Sequence, residues 1–410
     1  MKILHLCYSD LDGGAARAAY RLHCAQRSEG MDSYMLVINK CSDDPFVHTV
    51  NGYRKLRIKV ASFIAQRILR LQKSTNSVHH SLNLFPSGLL KDIQRIGPDI
   101  INLHWLGGEM LSISEIARLK QPVVWTLHDM WPFSGCEHYD DDLPSERYLA
   151  GYTAESRHSH HKGFDLDRWV FHRKKKAWAN KSFHIVTPSH WLGDCAKKST
   201  LFSRHSIQVI SNCIDHNRYK ALPTELARSV LGLPPEKKLL LFGAMSSTSD
   251  PRKGYHLLIP ALQKLKSEGK ADNLELIIFG ASHGEAEEET GIITHYMGRL
   301  NDDFSLCLLY NSANIFIAPS LQDNLPNTVV ESLSCGTPCI TFDIGGMKDL
   351  LCDPMLGTKC QSIDFNCLAE VVKKEISREE KKDMISGFSL KKHSQKKIAE
   401  AYRKTYHLLL

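Results

Sequence analysis

Two carboxylates eight residues apart, those of Asp323 and Glu331, lie on either side of Asn327. A carboxylate repels a phosphate but accepts hydrogen bonds from sugar hydroxyls, as an acidic residue does with ribose in dinucleotide sites. Asparagine commonly caps helices, and a helix N-terminus favours an anion through its unpaired N–H groups and its dipole. The pattern therefore predicts a site for a phosphate-linked sugar. It also fits a structural role, in which Glu331 supports the helix N-terminus and Asp323 caps a turn.

The elements that must position these residues follow from the surrounding pattern. Apolar residues at 315–318 predict a strand, the polar residues at 319–326 predict a loop, and Asn327 caps a helix that runs through Ser334 and that Gly336 ends. In an open parallel sheet, ligands bind beyond the carboxyl ends of the strands. We therefore expect the loop and the helix N-terminus to form a binding site together.

A second charged pair, Arg252 and Lys253, precedes Gly254 in a loop after the strand predicted at 239–243. Two adjacent cations can neutralise the charge that grows on a diphosphate leaving group as a glycosidic bond breaks. A solvated surface turn is the alternative for an isolated pair of this kind. The loop between a strand and a helix favours the functional interpretation.

The run DNLPNTVVESLSCGTP from Asp323 resembles the donor-binding signature of retaining GT-B glycosyltransferases of the family 4 type, which often reads D-N-L-P-N-T-V-x-E. The resemblance implies an α/β fold with two Rossmann-like domains facing a cleft. It implies that Arg252 and Lys253 stabilise the donor diphosphate and that Glu331 binds the ribose. Asp323 and His128 would contact the donor sugar, and the backbone of Asn327, Thr328 and Val329 the phosphate. In the wider family the first acidic residue is Glu and the residue three later is Gly, whereas this chain has Asp323 and Pro326.

The implied reaction is the transfer of a hexose from a nucleotide diphosphate sugar to a glycan or polyprenyl-linked acceptor, with retention at the anomeric carbon. The bacterial members most like this chain build capsule, exopolysaccharide or O-antigen. No metal or other cofactor is expected for this reaction. Two alternatives stay open: a sugar-nucleotide epimerase on the same fold, and a non-catalytic sugar-nucleotide-binding partner subunit. Asp323, Ala244 and Cys213, which replace residues usual in the family, keep the second alternative open.

The first half of the chain offers further candidates. Gly13 and Gly14 follow a predicted strand and let the backbone approach a ligand, and the run GGAARAAYRL resembles the family loop that faces the donor diphosphate. They do not form GxGxxG, which argues against a nicotinamide or flavin dinucleotide. His104 and His128 end two successive predicted strands, so we expect them to be neighbours at one sheet edge. In the second half, Gly280 ends a strand where the family binds the base.

Composition sets the broad limits. A chain of 410 residues with 42% hydrophobic content is long enough for two domains. We predict domains at 1–218 and 219–389, with a helix at 390–410 that crosses back to the first. The 12 cysteines are scattered without a CxxC pair, which indicates reduced thiols. No apolar run approaches the length of a membrane span, so the expected location is cytoplasmic, or peripheral on the inner face of the membrane.

A basic segment at 54–73 contains seven Lys or Arg and no acidic residue. Its apolar residues recur at helical spacing, which predicts a basic amphipathic helix. Such a helix can lie on an anionic lipid surface. Alternatively, it packs its apolar stripe on the sheet and exposes the basic face to solvent. Nucleic-acid binding is not indicated, because no recognised motif accompanies the charge.

The segment 136–161 is rich in metal-binding residue types. Cys136 and His138 are followed by RHSHH at 157–161, so a zinc site with His158, His160 and His161 is conceivable. The spacing is long and irregular, and we assign no metal to it. The three aspartates at 140–142 resemble the metal-binding carboxylates of the other large glycosyltransferase fold, but no strand precedes them.

Overall fold

The computed structural model describes residues 1–140, 146–243, 250–300, 302–379 and 381–410. The chain divides into two compact units, one of residues 1–211 with 395–410 and the other of residues 212–394. Each unit contains a parallel sheet with helices in the connections between strands. The two Rossmann-like domains expected from the sequence are therefore confirmed.

The main sheet of the N-terminal unit has seven strands among the described residues, and every neighbouring pair in that sheet is parallel. In spatial order they are Val47–Thr49, Asp32–Asn39, Lys2–Ser9, Ile100–Leu103, Val123–Thr126, His184–Thr187 and Ser206–Val209. The helices are Gly14–Ser28, Gly52–Leu69, Leu90–Ile96, Ile113–Ala117, Arg147–Ala150, Leu166–Ala177, His190–Lys198 and Gln395–His407. A short antiparallel pair joins Gln72–Lys73 to Lys162–Gly163. Trp125 lies in the core, with its ring centroid 5.4 Å from those of Trp178 and Phe183.

The C-terminal unit has six parallel strands among its described residues. In spatial order they are Thr294–Tyr296, Leu274–Phe279, Lys238–Gly243, Ile315–Ala318, Cys339–Phe342 and Gly357–Cys360. The α-helices are Thr224–Leu231, Tyr255–Ser267, Ala286–Thr290, Asp303–Ser312, Asn327–Ser334, Met347–Leu350, Phe365–Glu375 and Lys382–His393. Two 3₁₀ turns are Pro251–Lys253 and Pro354–Leu356. Nearly continuous apolar sequences form the central strands because helices cover both faces of the sheet.

Both sheets reverse their strand order at one point. In the N-terminal unit the reversal lies between Lys2–Ser9 and Ile100–Leu103, and in the C-terminal unit between Lys238–Gly243 and Ile315–Ala318. In doubly wound sheets this is the point at which ligands bind, beyond the carboxyl ends of the strands. The topology thus directs attention to the segments that follow these four strands.

The domain boundaries differ from the predicted ones by a few residues. Ile214 N–H donates to the carbonyl oxygen of His393 at 3.0 Å, and Ile214 and Tyr219 are buried in the C-terminal core. These contacts place residues 212–218 in the C-terminal unit. The single helix predicted at 390–410 is instead two helices, because Ser394 has an extended backbone and separates Lys382–His393 from Gln395–His407.

The basic helix spans Gly52–Leu69 and does not pack as the second interpretation required. Its buried residues are Ile58 and Ala65, whereas most apolar side chains of the predicted stripe are exposed, with Ile68 partly buried against the core. The exposed ones are Leu56, Val60, Phe63 and Ile64. At 3.6 residues per turn these positions lie roughly opposite the buried pair. Within the described residues, no helix combines the length and apolarity needed to cross a membrane.

Candidate functional site

The loop at 319–326 and the turn Pro251–Lys253 lie side by side in the C-terminal unit. Leu321 N–H donates to the carbonyl oxygen of Arg252 at 2.7 Å. Gly254 has a φ of +75°, and a Cβ added there would lie 1.9 Å from the carbonyl oxygen of Pro319. Only glycine combines this φ with such a close approach. The two segments therefore hold each other in place beyond the carboxyl ends of the two central strands.

This arrangement brings predicted site residues together. Lys253 Nζ lies 2.8 Å from Asp323 Oδ2, and Arg252 Nη2 lies 2.8 Å from Asp250 Oδ2. The side chains of these two pairs are between 13% and 28% exposed. Ion pairs that reach solvent contribute only about 0–1 kcal/mol, so a diphosphate could replace the carboxylates as partner at little cost. The carboxylates thus keep two cations oriented at the sheet edge.

The helix that follows the loop begins at Asn327, with Pro326 at the N-cap position and no side-chain cap. The predicted cap by Asn327 is therefore wrong; its Oδ1 instead accepts a hydrogen bond from Asn212 Nδ2 at 3.1 Å. The termination is as predicted, since Gly336, with a φ of +81°, follows the last turn. Thr328 and Val329 occupy the first turn, where backbone N–H groups favour an anion.

Glu331 is buried in this helix, and its Oε2 accepts a hydrogen bond from the hydroxyl of Tyr310 at 2.9 Å. Burial, reinforced by the Glu331 carboxylate, raises the pKa of Tyr310 well above its ordinary value. The phenol therefore stays protonated and donates. This hydrogen bond fixes the rotamer of Glu331 before any ligand arrives.

The predicted base-binding region lies at the ends of the strands Leu274–Phe279 and Thr294–Tyr296. Gly280, with a φ of +89°, donates its N–H to the carbonyl oxygen of Gly298 at 2.8 Å. A Cβ at Gly284 would lie 2.7 Å from the hydroxyl oxygen of Tyr296. These contacts tie the two strand-end loops together.

In the N-terminal unit, Gly13 and Gly14 lie where the first strand passes into the first helix. Gly13 has a φ of +104° and is the N-cap residue, and the helix begins at Gly14. Within the loop before it, the Asp10 carboxylate accepts hydrogen bonds from the N–H groups of Cys41 and Ser42. The glycines thus occupy the helix N-terminus at the sheet edge, as the sequence indicates.

His104 and His128 are neighbours, and they belong to a longer chain of hydrogen bonds. His128 Nε2 lies 3.0 Å from His104 Nδ1, and His104 Nε2 lies 2.9 Å from His5 Nδ1. His5 Nε2 lies 2.9 Å from Gln26 Oε1. The amide of Gln26 in turn donates to the hydroxyl of Tyr406, in the last helix, at 3.0 Å. His5 and His104 are buried, while His128, at the end of this series of hydrogen bonds, is partly exposed.

The direction of the hydrogen bonds follows from Gln26. Its amide nitrogen is committed to Tyr406, so its oxygen faces His5 and accepts from Nε2–H. In a neutral imidazole the other nitrogen is then an acceptor. Applied at each step, this makes His5, His104 and His128 all Nε2–H tautomers. The Nδ1 atom of His128 is consequently a hydrogen-bond acceptor.

Burial keeps these imidazoles neutral. It lowers the pKa of His128 to about 4, against a smaller opposing effect of Asp129. Burial, with the neighbouring His23, lowers the pKa of His5 to about 3. Burial and the adjacent histidines hold the pKa of His104 well below its ordinary value. At neutral pH these three histidines therefore carry no charge, and His128 presents an uncharged hydrogen-bonding group.

The residues of the conceivable zinc site do not come together in the structure. His138 Nδ1 lies 2.6 Å from Asp129 Oδ2, while the rings of His158 and His160 stack on each other 4.5 Å apart. The conceivable zinc site formed with Cys136 by these histidines therefore does not exist as such among the described residues. Ala244 and the aspartates at 141 and 142 lie outside the described residues.

Several supporting residues carry no recognisable signal in the sequence. Tyr310, which orients Glu331, lies in a helix two elements earlier. Gln26 and His5 fall within an ordinary helix and strand, and Tyr406 comes from the far end of the chain. Asp250, the partner of Arg252, reads as a turn residue. Their roles depend on contacts between distant segments, which no local motif records.

Comparisons with known proteins place this geometry in a family. Residues 12–218 match the sequence model of Glycosyltransferase Family 4, and residues 236–377 match that of Glycosyl transferases group 1. The structure resembles sucrose-phosphate synthase from Thermosynechococcus elongatus with a TM-score of 0.69 at 14% identity, covering 100% of this chain and 99% of the other. HepE from Anabaena, solved with UDP and glucose, gives a TM-score of 0.63 at 16% identity with both chains fully covered. The fold is thus that of the two-domain GT-B proteins. The chain belongs to glycosyltransferase family 4.

Curated relatives share somewhat more sequence identity with this chain than these two structures do. The D-inositol 3-phosphate glycosyltransferase of Mycolicibacterium smegmatis is 22% identical over 319 residues, 74% of this chain and 66% of that protein. D-inositol 3-phosphate glycosyltransferase 2 of Catenulispora acidiphila is 24% identical over 165 residues, 37% of this chain and 38% of that protein. This chain therefore spans less than two thirds of the length of these relatives.

Proposed function

We propose that this protein transfers a hexose from a nucleotide diphosphate sugar to a hydroxyl of a glycan or lipid-linked glycan, with retention, in bacterial surface polysaccharide synthesis. The observation that carries the proposal is the Lys253–Asp323 pair, a cation and a carboxylate at the point where strand order reverses. Membership of family 4 and the UDP named for the HepE structure support a nucleotide-sugar donor.

Each residue has a role that its surroundings allow. Lys253 and Arg252 exchange their carboxylate partners for the diphosphate, which neutralises the leaving group as the glycosidic bond breaks. Glu331, held by Tyr310, accepts hydrogen bonds from the ribose hydroxyls. Asp323, released from Lys253, accepts hydrogen bonds from the sugar. In the N-terminal unit, Nδ1 of His128 is an acceptor suited to a sugar hydroxyl. No described residue is needed as a general base, because the departing phosphate itself accepts the proton of the acceptor hydroxyl.

The first experiment is thermal stabilisation of the purified protein, followed by calorimetry, with UDP, GDP, ADP and their sugars. Ligand at about 100 times its Kd stabilises the binding unit by about 2.7 kcal/mol. We expect stabilisation by one nucleotide family. Lys253→Ala removes the cation, while Glu331→Gln keeps an acceptor for Tyr310 but loses the charge. Both variants should lose most of the shift.

Matched controls are Lys270→Ala and Glu288→Gln, which change exposed residues of the same unit. They should keep the full shift. If no nucleotide at millimolar concentration stabilises the protein, the donor site is wrongly assigned. If nucleotides bind but no donor is consumed with any glycan acceptor, the chain is a sugar-nucleotide-binding partner subunit. Asp323→Glu separates these outcomes further, since a large gain in turnover would indicate a decayed site and a loss would identify Asp323 as the working residue.

The acceptor is held near an anionic membrane surface by the helix Gly52–Leu69. Leu56 and Phe63 are 61% and 59% exposed, and Lys59 and Arg67 are exposed on the same helix. Apolar side chains enter the interface while the cations attract anionic headgroups. This part of the proposal rests on the face described above, which the domain leaves uncovered.

Sedimentation with vesicles tests the membrane contact. The protein should bind vesicles containing phosphatidylglycerol more strongly than pure phosphatidylcholine vesicles, and Phe63→Ser should weaken binding. Phe304→Ser changes an even more exposed phenylalanine of the C-terminal unit and should have no effect. Equal binding of both vesicle types by all three proteins would contradict the proposal.

A further inference from the structure

A second cluster of reactive side chains lies in the N-terminal unit, apart from the histidine chain. It consists of His80, Cys136 and Asp167, whose potential ligand atoms all lie within 4.8 Å of one another. The three residues come from the segment before the third helix, the loop after the strand Val123–Thr126, and the first turn of the helix Leu166–Ala177. We propose that this cluster binds a zinc ion that ties these three segments together.

The donor atoms define the metal. An imidazole nitrogen, a thiolate sulfur and a carboxylate oxygen form a ligand set typical of zinc, whereas Mg²⁺ and Ca²⁺ take oxygen ligands alone. Cys136 and Asp167 are both buried, which suits a structural metal more than one exchanged with solvent. Two anionic ligands also balance the charge of a divalent cation.

Two buried atoms at the cluster have no hydrogen-bond partner among the residues that the structure describes. They are Nε2 of His80 and Oε2 of Glu137. Glu137 is 4% exposed, and His80 and Glu137 face each other in an isolated antiparallel bridge. Leaving a buried polar atom unsatisfied destabilises the folded state. Coordination would satisfy His80 directly, and Glu137 offers an oxygen for a fourth position.

Glycine at position 135 keeps this space open. A Cβ added to Gly135 would lie 2.6 Å from both Glu137 Oε2 and the Cβ of Asp167. Any side chain would therefore fill the place where the two carboxylates approach each other. Glycine is needed here because there is no room for a side chain, and not because of a left-handed φ.

The ligands are already oriented by the next layer of contacts. His80 Nδ1 lies 2.7 Å from the carbonyl oxygen of Val78, so Nδ1 carries the proton and Nε2 carries the lone pair. Asp167 Oδ2 accepts a hydrogen bond from Gln72 Nε2 at 2.6 Å. Metal-binding histidines and carboxylates characteristically have such supporting hydrogen bonds.

Coordination requires one small adjustment. Cys136 Sγ lies 2.6 Å from Asp167 Oδ1, closer than a thiol that donates to a carboxylate normally lies. With Zn–S of about 2.3 Å and Zn–O of about 2.0 Å in a tetrahedron, these two atoms would be about 3.5 Å apart. The thiol proton leaves and the two side chains separate by about 1 Å. A rotation of either side chain provides this movement.

The consequence for the fold is local. Ser81 N–H donates to the carbonyl oxygen of Cys136 at 2.7 Å, and His138 N–H donates to that of His79 at 2.9 Å. The ion would lock this backbone pairing to the helix that carries Asp167. It would thereby fix the loop that starts with His128 and Asp129. The inference does not depend on the transfer reaction.

Metal analysis of the purified, untagged protein tests the inference. After incubation with zinc alone and gel filtration, we expect about one zinc per chain. His80→Gln and Asp167→Asn should each lower the zinc content at least tenfold. Cys41→Ser changes an exposed cysteine of the same unit and should retain the metal. Cobalt should replace zinc and give the intense near-ultraviolet absorption of a Co–thiolate bond, which Cys136→Ser should abolish.

Unfolding of the variants does not leave the question open. All six tryptophans lie in the N-terminal unit, so their fluorescence reports whether each variant is folded. His80 is only half-buried, and its replacement is the least disruptive. Wild-type protein that retains less than about a tenth of an equivalent of zinc, or a folded His80→Gln variant with wild-type zinc content, would overturn the inference.

Discussion

Acidification should destabilise the N-terminal unit through its neutral histidines, and His5→Gln should reduce that effect by one proton. Burial lowers the pKa of His5 to about 3 in the folded protein, while an unfolded chain has a histidine pKa of about 6.5. The unfolded state therefore binds a proton first. The stability that this histidine allows is fully present above about pH 6.5 and is lost as the pH falls towards about 3.

The magnitude follows from proton linkage. One neutral buried histidine costs about 1.3 kcal/mol of stability between about pH 7.5 and pH 5.5, since the slope reaches about 1.4 kcal/mol per pH unit. His5, His104 and His128 share the same direction, so together they cost up to about 4 kcal/mol over this interval. The His5→Gln variant should lose about 1.3 kcal/mol less than the wild type.

The assay is urea unfolding followed by tryptophan fluorescence at both pH values. Because the six tryptophans all lie in the N-terminal unit, the C-terminal unit does not contribute to the signal. His407→Gln, at an exposed position of the last helix, is the matched control and should follow the wild type. His5→Gln also removes a hydrogen-bond acceptor for His104, which lowers stability at both pH values; the comparison therefore uses the difference between them. If the free energy of unfolding falls equally with pH in the wild type and in His5→Gln, the conclusion that these histidines are neutral is refuted.

Three further substitutions test individual contacts. Gly254→Ala should destabilise the C-terminal unit by more than about 2 kcal/mol in calorimetry, because its Cβ would overlap the carbonyl oxygen of Pro319; an unchanged melting temperature would contradict the positive φ. Lys174→Met should lower the free energy of unfolding in urea by about 2–4 kcal/mol, because the buried Nζ donates to the carbonyl oxygens of residues 131, 134 and 135. Lys174→Arg is the conservative comparison. An unchanged free energy of unfolding in Lys174→Met would show that these carbonyls need no donor. Tyr310→Phe should cost about 1 kcal/mol and weaken nucleotide binding about threefold to tenfold, since Glu331 loses the bond that fixes its rotamer; stabilisation by nucleotide equal to that of the wild type would show that this bond does not prepare the site.

Local chemistry in the sequence determined much of the C-terminal site. The strand at 315–318, the loop after it and the helix ending at Gly336 are as predicted. The apolar run and the turn-forming residues that follow it determine local structure over only a few positions. The letters around Asp323 and Glu331 were enough to indicate the family. Prediction failed at the cap, because Pro326 takes that position and Asn327 enters the helix.

Only the tertiary structure decided which groups meet. The sequence could not show that Lys253 contacts Asp323 across 70 residues, or that Tyr310 holds Glu331. The same holds for the basic helix, where hydrophobic spacing predicted an apolar stripe but left open whether the stripe packs on the sheet or faces a lipid surface. The structure packs the small Ala65 instead and leaves Phe63 outside. Periodicity records that a helix has an apolar side, but only the available packing surface decides which side is covered.

The same distinction applies to the cysteine and histidine residues of the N-terminal unit. The sequence drew attention to Cys136 through the histidines that follow it, whereas folding gives it His80 and Asp167 as neighbours from either side along the chain. It also places His5, an unremarkable strand residue, next to His104. Residue types limit what chemistry a chain can perform. Pairing of distant backbone segments decides which of those residues come within bonding distance.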